Sequence, residues 1–490
     1  SGTGLGLPGL NRHVFQEDNV ATILNGTVLI EPLPEELRQK ILERRIVRVM
    51  KSESGAQMVP IEDLEQTIKL AGQRGQFDPA AEFGIPQNLV ESTDISTQLA
   101  MAAGIEALRD AGIPLMMTYK TTSTGGKLPN RWMLPPALAD ETGVIFSSAF
   151  PGYAQLSDEA ERFYTHQRLA SQLDELRSLQ TLTAGDTALG KALAERIAAL
   201  GAELEALDYH FDRRFIFRIL SMGHSQFAEY IGARGPNTQI NAACASMTQA
   251  VGLAEDWIRS GRCRRVVIIS GDDVADGNLG AWIESGFLAT GAATAEGDLR
   301  KAVLPFDRRR NGMIVGMGAA ALVVESEDAV RERGMCGLAE VLSTEVANSA
   351  FHGTRLDVNH ISDVMERLLI KAEERFNLKR NDLTGEMMFM SHETYTPARG
   401  GSAAAEIHAL RQTFGDKANQ IVIANTKGYT GPAMGVGIED VVAIQALVHG
   451  SVPPSAILEE RFEPTPGLED LNLLLGGTEP LKWDLRLGAG

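Results

Sequence analysis

Pro236-Asn-Thr-Gln-Ile-Asn-Ala-Ala-Cys-Ala-Ser-Met247 joins a strand-like run, residues 236–243, to the start of a helical pattern. Residues 247–260 repeat apolar side chains at the three- and four-residue spacing of an amphipathic helix. Arg265-Val-Val-Ile-Ile-Ser-Gly271 then forms an apolar run typical of a buried strand. This strand, helix, strand order predicts a layered α/β fold around a largely buried sheet.

Other parts of the chain fit the same architecture. Short apolar runs predict further strands at 143–148, 319–324, 386–391 and 420–425. Helices are predicted at 34–45 and 94–111, and an extended segment is predicted at 21–32. In such a fold, catalytic groups belong where strands end and loops begin.

Residues 157–207 have a different character from the rest of the chain. Leucine and isoleucine recur there mostly three or four positions apart, with a break near Gly185. This pattern predicts two amphipathic helices joined by a turn, inserted in or projecting from the main body. Either a packing or dimer-contact arm or a docking arm for another domain is compatible with the pattern. The positions in question are Leu169, Leu173, Leu176, Leu179, Leu189, Leu193, Ile197, Leu200, Leu204 and Leu207.

The composition excludes several classes of protein. A formal net charge of -18 argues against nucleic acid as the main partner, because phosphate binding needs a basic surface. Three cysteines in 490 residues do not make a disulfide framework, and no apolar stretch approaches the length of a membrane span. We therefore expect a cytoplasmic protein. Local arginine clusters remain candidates for docking an acidic partner: Arg262, Arg264, Arg265 and Arg308 to Arg310.

The N-terminal segment reads Ser1-Gly-Thr-Gly-Leu-Gly-Leu-Pro-Gly9. Its first three residues are typical of a cloning remnant, so we expect the chain to be a piece of a longer protein. The segment also matches Gly-x-Gly-x-x-Gly, but no strand precedes it and Pro8 interrupts the turn. We therefore predict no dinucleotide site here.

Cys244 is the first candidate for chemistry. A thiol at the start of a helix meets unpaired N–H groups and the positive end of the helix dipole, which favour the thiolate. Taken alone, a cysteine in this position is more often structural, and Cys263 and Cys336 are interpreted in that way.

His392 and Lys427 are the other candidates. His392 follows a predicted strand in Met388-Phe-Met-Ser-His392, where a loop imidazole can polarise a carbonyl or transfer a proton. Lys427 follows the run 421–425 and can supply charge to the same site. Spacing alone does not bring the three residues together. The nine histidines show no metal-ligand spacing, so we predict no metal.

Several segments, in order along the chain, resemble the ketosynthase domains of type I polyketide and fatty-acid synthases. Phe77-Asp-Pro-Ala-Ala-Glu-Phe-Gly-Ile-Pro86 and the helix at 94–112 resemble the opening region of these domains. Arg234-Gly-Pro-Asn-Thr-Gln-Ile-Asn-Ala-Ala-Cys244 resembles the segment with the acylated cysteine. Pro305-Phe-Asp-Arg-Arg-Arg-Asn-Gly312 and His392-Glu-Thr-Tyr-Thr-Pro397 resemble two later motifs.

The resemblance implies a role for each matching position. Cys244 would accept an acyl group from a phosphopantetheine thioester, and His392 would be the first catalytic histidine. Thr394 and Thr396 would bind the pantetheine arm, and Lys427 would be the structural and electrostatic lysine. The implied fold is the duplicated thiolase fold, five layers in the order α/β/α/β/α, which usually dimerises.

Three positions depart from the family pattern. Pro432 stands where the family has a second histidine, and proline has no side-chain donor. Losing one oxyanion donor can cost about 3 kcal/mol, so decarboxylation would be slow unless another group or a water replaces it. Met317 replaces a glutamate, so we expect Lys427 to lack one polar partner. The family's Gly-Phe-Gly-Gly loop does not follow Leu487-Gly-Ala-Gly490 in this sequence.

We therefore predict a β-ketoacyl synthase that loads Cys244 and condenses the acyl group with a malonyl-type extender on acyl carrier protein. The domain itself binds no cofactor; the carrier's phosphopantetheine presents the substrate. Expected partners are acyl carrier protein and a second copy or a ketosynthase-like subunit. Two alternatives stay open: a non-decarboxylating transacylase or thioesterase, and a pseudo-enzyme resembling a chain-length factor. The predicted division is 1–135 (N-terminal ketosynthase region), 136–335 (first thiolase-like half, with the insertion) and 336–490 (second half).

Overall fold

The computed structural model describes residues 1–52, 55–182, 187–351, 356–396, 401–458, 461–473, 481–482 and 487–489. Its strands are β1 (Gly2–Gly6), β2 (Glu31–Pro32), β3 (Val47–Ser52), β4 (Gly55–Pro60), β5 (Leu70–Ala71), β6 (Met116–Thr121), β7 (Lys127–Met133), β8 (Thr142–Ser147), β9 (Asn237–Ile240), β10 (Arg265–Asp272), β11 (Gly318–Glu325), β12 (Met387–Met390), β13 (Val422–Ala424), β14 (Ser451–Val452), β15 (Asn472–Leu473), β16 (Leu481–Lys482) and β17 (Leu487–Ala489).

The α-helices alternate with these strands along the chain. They are α1 (Asn19–Leu24), α2 (Glu35–Leu42), α3 (Pro79–Phe83), α4 (Gln87–Val90), α5 (Ile95–Asp110), α6 (Pro136–Ala139), α7 (Tyr153–Leu182), α8 (Thr187–Leu207), α9 (Phe215–Ile219), α10 (Gly223–Ile231), α11 (Ser246–Arg259), α12 (Gly277–Ala289), α13 (Leu299–Ala302), α14 (Glu327–Glu332), α15 (Val358–Phe376), α16 (Arg380–Leu383), α17 (Gly401–Phe414), α18 (Lys427–Thr430) and α19 (Ile438–His449).

Two sheets form the centre of the molecule. The first has the order β1-β11-β10-β8-β9, in which β8 pairs in parallel with β9 and β10, while β11 is antiparallel to β10 and β1. The second has the order β15-β13-β12-β17, and all its pairings are parallel. Four two-stranded ribbons, β2-β5, β3-β4, β6-β7 and β14-β16, complete the described pairings.

Alternate residues of the central strands belong to different cores, which shows the layering directly. In β10, Val267 and Ile269 pack with α5, whereas Val266 and Ile268 face α11 and α19. In the second sheet, one face of β12 and β13 meets that same middle core, and the other face packs on α15 and α17. The order of layers is therefore α/β/α/β/α, as the sequence analysis predicted.

Strand β1 was not predicted from the sequence, because three of its five residues are glycine. The structure explains this composition. A Cβ at Gly2 would lie 2.3 Å from the carbonyl oxygen of Ala107, and one at Gly4 would lie 2.2 Å from that of Ala103. Both carbonyls belong to α5, so glycine allows the strand and the helix to pack against each other.

The predicted insertion is a helical hairpin. α7 has 30 residues and α8 has 21, and the predicted turn near Gly185 lies outside the described residues. Leu169, Leu173 and Leu200 form a small core between the two helices, separate from the cores of the sheets. At its base, Asn278 Nδ2 donates to Asp158 Oδ1 at 3.0 Å, which ties the hairpin to α12.

The predicted strands at 143–148, 265–271, 319–324, 386–391 and 420–425 are confirmed, as are the helices at 34–45, 94–111 and 247–260. The prediction of an extended segment at 21–32 was wrong in its first part, which is helix α1. Asn19 anchors this helix by donating to the carbonyl oxygens of Leu5 and Val14 at 2.7 and 2.9 Å. Tertiary contacts thus override the extended propensity of the segment. The division at 135 and 335 stays a prediction.

Candidate active site

Cys244, His392 and Lys427 line one cavity of about 1140 Å³. Its walls come from α11, β11, α15 and α19 and from the segment 335–345. Cys244 and His392, which are 148 positions apart in the sequence, therefore line the same cavity. Cys244 and His392 are accessible from the cavity although protein surrounds the site, which explains why both are solvent-exposed yet strongly desolvated.

Cys244 sits on a tight turn between β9 and α11. Ser246 holds the turn: its hydroxyl donates to the Ala243 carbonyl at 2.6 Å and accepts the Ala242 N–H at 2.9 Å. Ala243 has φ 50°, a left-handed conformation that costs energy for a residue with a Cβ. The turn thus holds Cys244 two residues before the start of the helix, where its side chain reaches the cavity.

The electrostatics of Cys244 differ from the expectation that a helix start would favour the thiolate. Burial raises the pKa of the Cys244 thiol above its ordinary value, and the Lys427 ammonium opposes this effect. The carboxyl groups of Glu439 and Asp272 raise the pKa further. Cys244 is therefore mainly a thiol at neutral pH, and a proton must leave it when it attacks a thioester.

The His392 loop begins where β12 ends. Glu406 of α17 holds it, since one carboxyl oxygen accepts the His392 backbone N–H at 2.9 Å and the other accepts the Ser391 hydroxyl at 2.6 Å. Asn425, at the end of the adjacent strand β13, donates to the Glu393 carbonyl at 2.8 Å. Burial raises the pKa of Glu406 to about 8, so this carboxyl is mostly protonated at neutral pH.

The imidazole of His392 is neutral. Burial lowers its pKa to about 3, and the positive charge of Lys427 acts in the same direction. A neutral imidazole has one N–H donor and one acceptor nitrogen. It can therefore donate to a carbonyl oxygen or accept the proton of a thiol.

Lys427 has a partner that the sequence analysis did not identify. Its Nζ lies 3.0 Å from Glu439 Oε1, and both side chains are largely buried. Burial alone would lower the pKa of Lys427, but the negative charge of Glu439 raises it above the ordinary value. Met317 is buried and supplies no charge, so Glu439 provides the polar partner that we expected to be missing. Glu439 follows a glycine-rich loop at the start of α19, a local signal that could have identified it.

Thr394 and Thr396 do not line this cavity. Thr394 is buried, and Tyr395 has a left-handed backbone conformation with a φ of 47°. Glu393 holds this segment, because its carboxyl accepts the Tyr395 N–H at 2.9 Å and the Ser402 hydroxyl at 2.5 Å. The contact of Thr394 and Thr396 with a pantetheine arm stays a prediction.

Pro432 is buried, and its carbonyl oxygen accepts the Gly316 N–H at 3.0 Å. Asp272, at the end of β10, binds the neighbouring loop by accepting the Gly435 N–H at 2.8 Å. It also accepts the Ser148 hydroxyl at 2.6 Å. Asp272 thus joins the first sheet to the loop that follows Lys427.

Most of the arginines proposed for docking an acidic partner are bound within the protein. Arg265 is buried against Glu325 at 2.6 Å, and Arg310 is buried 3.6 Å from Glu393. The docking prediction was therefore wrong for these two. Arg264, Arg308 and Arg309 form ion pairs with Glu332, Glu463 and Asp307.

Part of the chain matches a known family of proteins. Residues 186–329 match the family "Beta-ketoacyl synthase, N-terminal domain". A 3-oxoacyl-[acyl-carrier-protein] synthase 2 of Coxiella burnetii is 28% identical over 252 residues, 50% of this chain and 57% of that protein. The ketoacyl synthase alpha subunit of the tetracenomycin polyketide synthase of Streptomyces glaucescens is 26% identical over 402 residues, 80% of this chain and 77% of that one.

The sequence of this chain is thus similar to those of ketoacyl synthases. The alignment spans little more than half of the Coxiella burnetii synthase.

Solved ketosynthase structures share the fold. A β-ketoacyl synthase from Burkholderia phymatum STM815 superposes with a TM-score of 0.66 at 19% identity, covering 99% of this chain and 94% of that one. A type II polyketide synthase acyl carrier protein in complex with its ketosynthase gives a TM-score of 0.64 at 17% identity, with 99% and 93% coverage. The chain therefore has the thiolase fold, with the α7–α8 hairpin inserted.

In the part of the chain that the structure describes, no group of three His, Cys, Asp or Glu side chains is arranged to hold a metal ion. Over the same residues, none of the helices combines the length and apolarity needed to cross a membrane.

Proposed function

We propose that this chain is a β-ketoacyl synthase that accepts an acyl group on Cys244 from the phosphopantetheine thioester of an acyl carrier protein. The observation that carries the proposal is that Cys244, His392 and Lys427 line the same cavity. The thiol attacks the thioester carbonyl while neutral His392 accepts its proton, and His392 then passes this proton to the carrier sulfur as it leaves. Apolar side chains such as Val251, Ile258 and Leu369 line the cavity beyond the thiol and suit an acyl chain.

In the second half-reaction, a malonyl-type thioester on the carrier loses carbon dioxide. The electron pair of the broken C–C bond forms an enolate, whose carbon attacks the acyl group on Cys244 and releases Cys244 as a thiolate. His392 can donate one hydrogen bond to the enolate oxygen. Lys427 holds the positive charge of the site, fixed by Glu439.

A non-decarboxylating transacylase or thioesterase is the second candidate. Pro432 favours it, because this position near Lys427 offers no side-chain donor for an enolate oxygen. Such an enzyme would load Cys244 without releasing carbon dioxide. A pseudo-enzyme role would leave Cys244 unloaded.

Two further properties belong to the proposal. A carrier protein would be the acyl donor, which is supported by the solved complex of an acyl carrier protein with its ketosynthase. A second copy or a ketosynthase-like subunit would pair along β9, which lies at the edge of the first sheet and is partly exposed. We place this reaction in the cytoplasm.

The test is intact-mass analysis of the chain after mixing with an acyl carrier protein that bears a C8 acyl group. We expect one acyl adduct on the wild-type chain and none on Cys244→Ala. Cys336→Ala is the matched control, because Cys336 is also exposed and lines the same cavity. The Cys336→Ala variant should still be acylated on Cys244. An adduct that survives in Cys244→Ala would exclude the proposed nucleophile.

Malonyl carrier protein is then added to the loaded chain. Release of carbon dioxide with a lengthened product supports the synthase, and loading without carbon dioxide supports the transacylase. Absence of any adduct would support the pseudo-enzyme role.

A further inference from the structure

Asp440 is a carboxyl group in the catalytic cavity to which the steps above assign no role. It lies in the first turn of α19, next to Glu439, and lines the cavity together with Cys244, His392 and Lys427. Among the described residues, no other side chain donates a hydrogen bond to its carboxyl. An acid in such a site is a candidate for proton donation or hydrogen bonding to substrate.

The position of the Asp440 carboxyl is set by Gly437. A Cβ on Gly437 would lie 2.3 Å from Asp440 Oδ2 and 2.3 Å from Met247 Cγ. The carboxyl therefore packs against the loop backbone, beside the first turn of the helix that follows Cys244. Glycine at this position allows the close approach.

The chemistry of decarboxylation requires a donor at this place. The enolate oxygen is stabilised best by two hydrogen-bond donors, and neutral His392 provides one. The Lys427 ammonium is already engaged with Glu439 at 3.0 Å. Asp440, Thr248 and Ser391 also line the cavity, and the Ser391 hydroxyl is already engaged because it donates to Glu406 at 2.6 Å.

A carboxyl group can donate only when it is protonated. Burial raises the pKa of Asp440 to about 7, and the neighbouring Glu439 carboxylate raises it as well, whereas Lys427 lowers it. The other titratable groups that line this part of the cavity are Cys244 and His392. Near neutral pH, a substantial fraction of Asp440 thus carries a proton.

We propose that Asp440 is a further catalytic residue, whose protonated carboxyl donates a hydrogen bond to the enolate oxygen beside His392. This inference rests on the proposed synthase function. No proton is consumed, because the carboxyl keeps its proton while the C–C bond to the leaving carbon dioxide breaks. The enolate carbon then forms the new bond, and the thiolate of Cys244 is released.

The test uses the full chain, first acylated on Cys244 and then mixed with malonyl carrier protein, with carbon dioxide measured in a single turnover. We expect Asp440→Ala to lower the rate about 100-fold, as expected for loss of one oxyanion donor. Asp440→Asn keeps an N–H donor and should lose about 10-fold or less. The extent of Cys244 loading shows that each variant is folded, and Asp328→Ala, at an exposed first-turn aspartate of α14, is the control.

The pH profile separates donation from a structural role. Wild-type carbon dioxide release should fall as pH rises through about 7, since the donor is lost when Asp440 ionises. In Asp440→Asn this fall should be absent.

Three results would overturn the inference. One is an unchanged rate in Asp440→Ala, and another is a pH-dependent fall that persists in Asp440→Asn. The third is a large loss in Thr248→Val with none in Asp440→Ala. If the wild-type chain loads Cys244 but releases no carbon dioxide at any pH, the synthase function itself fails, which is distinct from these outcomes.

Discussion

At the scale of single residues, loss of the buried Lys427–Glu439 pair should destabilise the fold. The two charges lie 3.0 Å apart with side-chain exposures of 8% and 17%. Lys427→Met leaves Glu439 without its cation, and removing one partner of a buried pair typically costs about 3 kcal/mol. Urea unfolding should show this loss of stability.

Arg331→Met is the matched control for that experiment. Arg331 pairs with Glu327 on the surface, where the two side chains are 69% and 74% exposed. Exposed pairs contribute about 0.5 kcal/mol, so the control should unfold almost as the wild type does. Equal losses in both variants would contradict a buried, structurally important pair.

The raised pKa of Glu406 predicts how the stability of the fold depends on pH. Burial raises its pKa to about 8 in the folded chain, whereas the unfolded carboxyl has its ordinary value near 4.5. The folded state thus binds an extra proton between these values, and stability falls as pH rises through this range. Wild type should lose stability relative to Glu406→Gln between pH 5 and pH 8 in urea unfolding. If the difference in unfolding free energy between the two proteins stays constant over this pH range, Glu406 is ionised in the folded state.

At the scale of elements, the helical hairpin should behave as a separate unit. Leu173 is 4% exposed in a core made only of hairpin residues. Leu173→Ala should cost about 2–4 kcal/mol in that core. Hydrogen exchange should rise in α7 and α8 while the amides of β10 and β12 stay protected. Leu182→Ala, at a position 82% exposed, should change neither. Faster exchange throughout the sheets would mean that the hairpin supports the main fold.

Helices and strands with a regular spacing of apolar residues were predictable from the sequence. Residues that reach the candidate site from helices were not. Cys244, His392 and Lys427 each follow a strand, so a local pattern identifies them. Glu406 and Asp440 reach the site from α17 and α19, and their approach depends on how those helices pack.

Two further elements escaped prediction because packing determines them. β1 is rich in glycine since α5 lies directly against it. Thr394 is buried next to Tyr395, whose left-handed backbone conformation cannot be predicted from the residue type.

At the scale of the whole molecule, the proposed pairing of two chains would use the free edge of the first sheet at β9. β9 pairs only with β8 among the described strands, and its residue Asn237 is exposed. If a second chain pairs there, Asn237→Lys with Gln239→Lys should yield single chains in light scattering, because charged edge strands resist pairing. Ala194→Lys with Ala198→Lys, on the exposed surface of α8, should leave the assembly intact. A wild-type chain that is monomeric at micromolar concentration would rule out this pairing.

The pairing of β1 with β11 joins Gly2 to Val323. On a ribosome that adds about 5–20 residues per second, the first strand must wait roughly 15–60 s before its neighbour has been synthesised. Through that interval β1 of the nascent chain lacks its partner strand. Production in a host with slow translation or few chaperones should therefore favour aggregation of this protein.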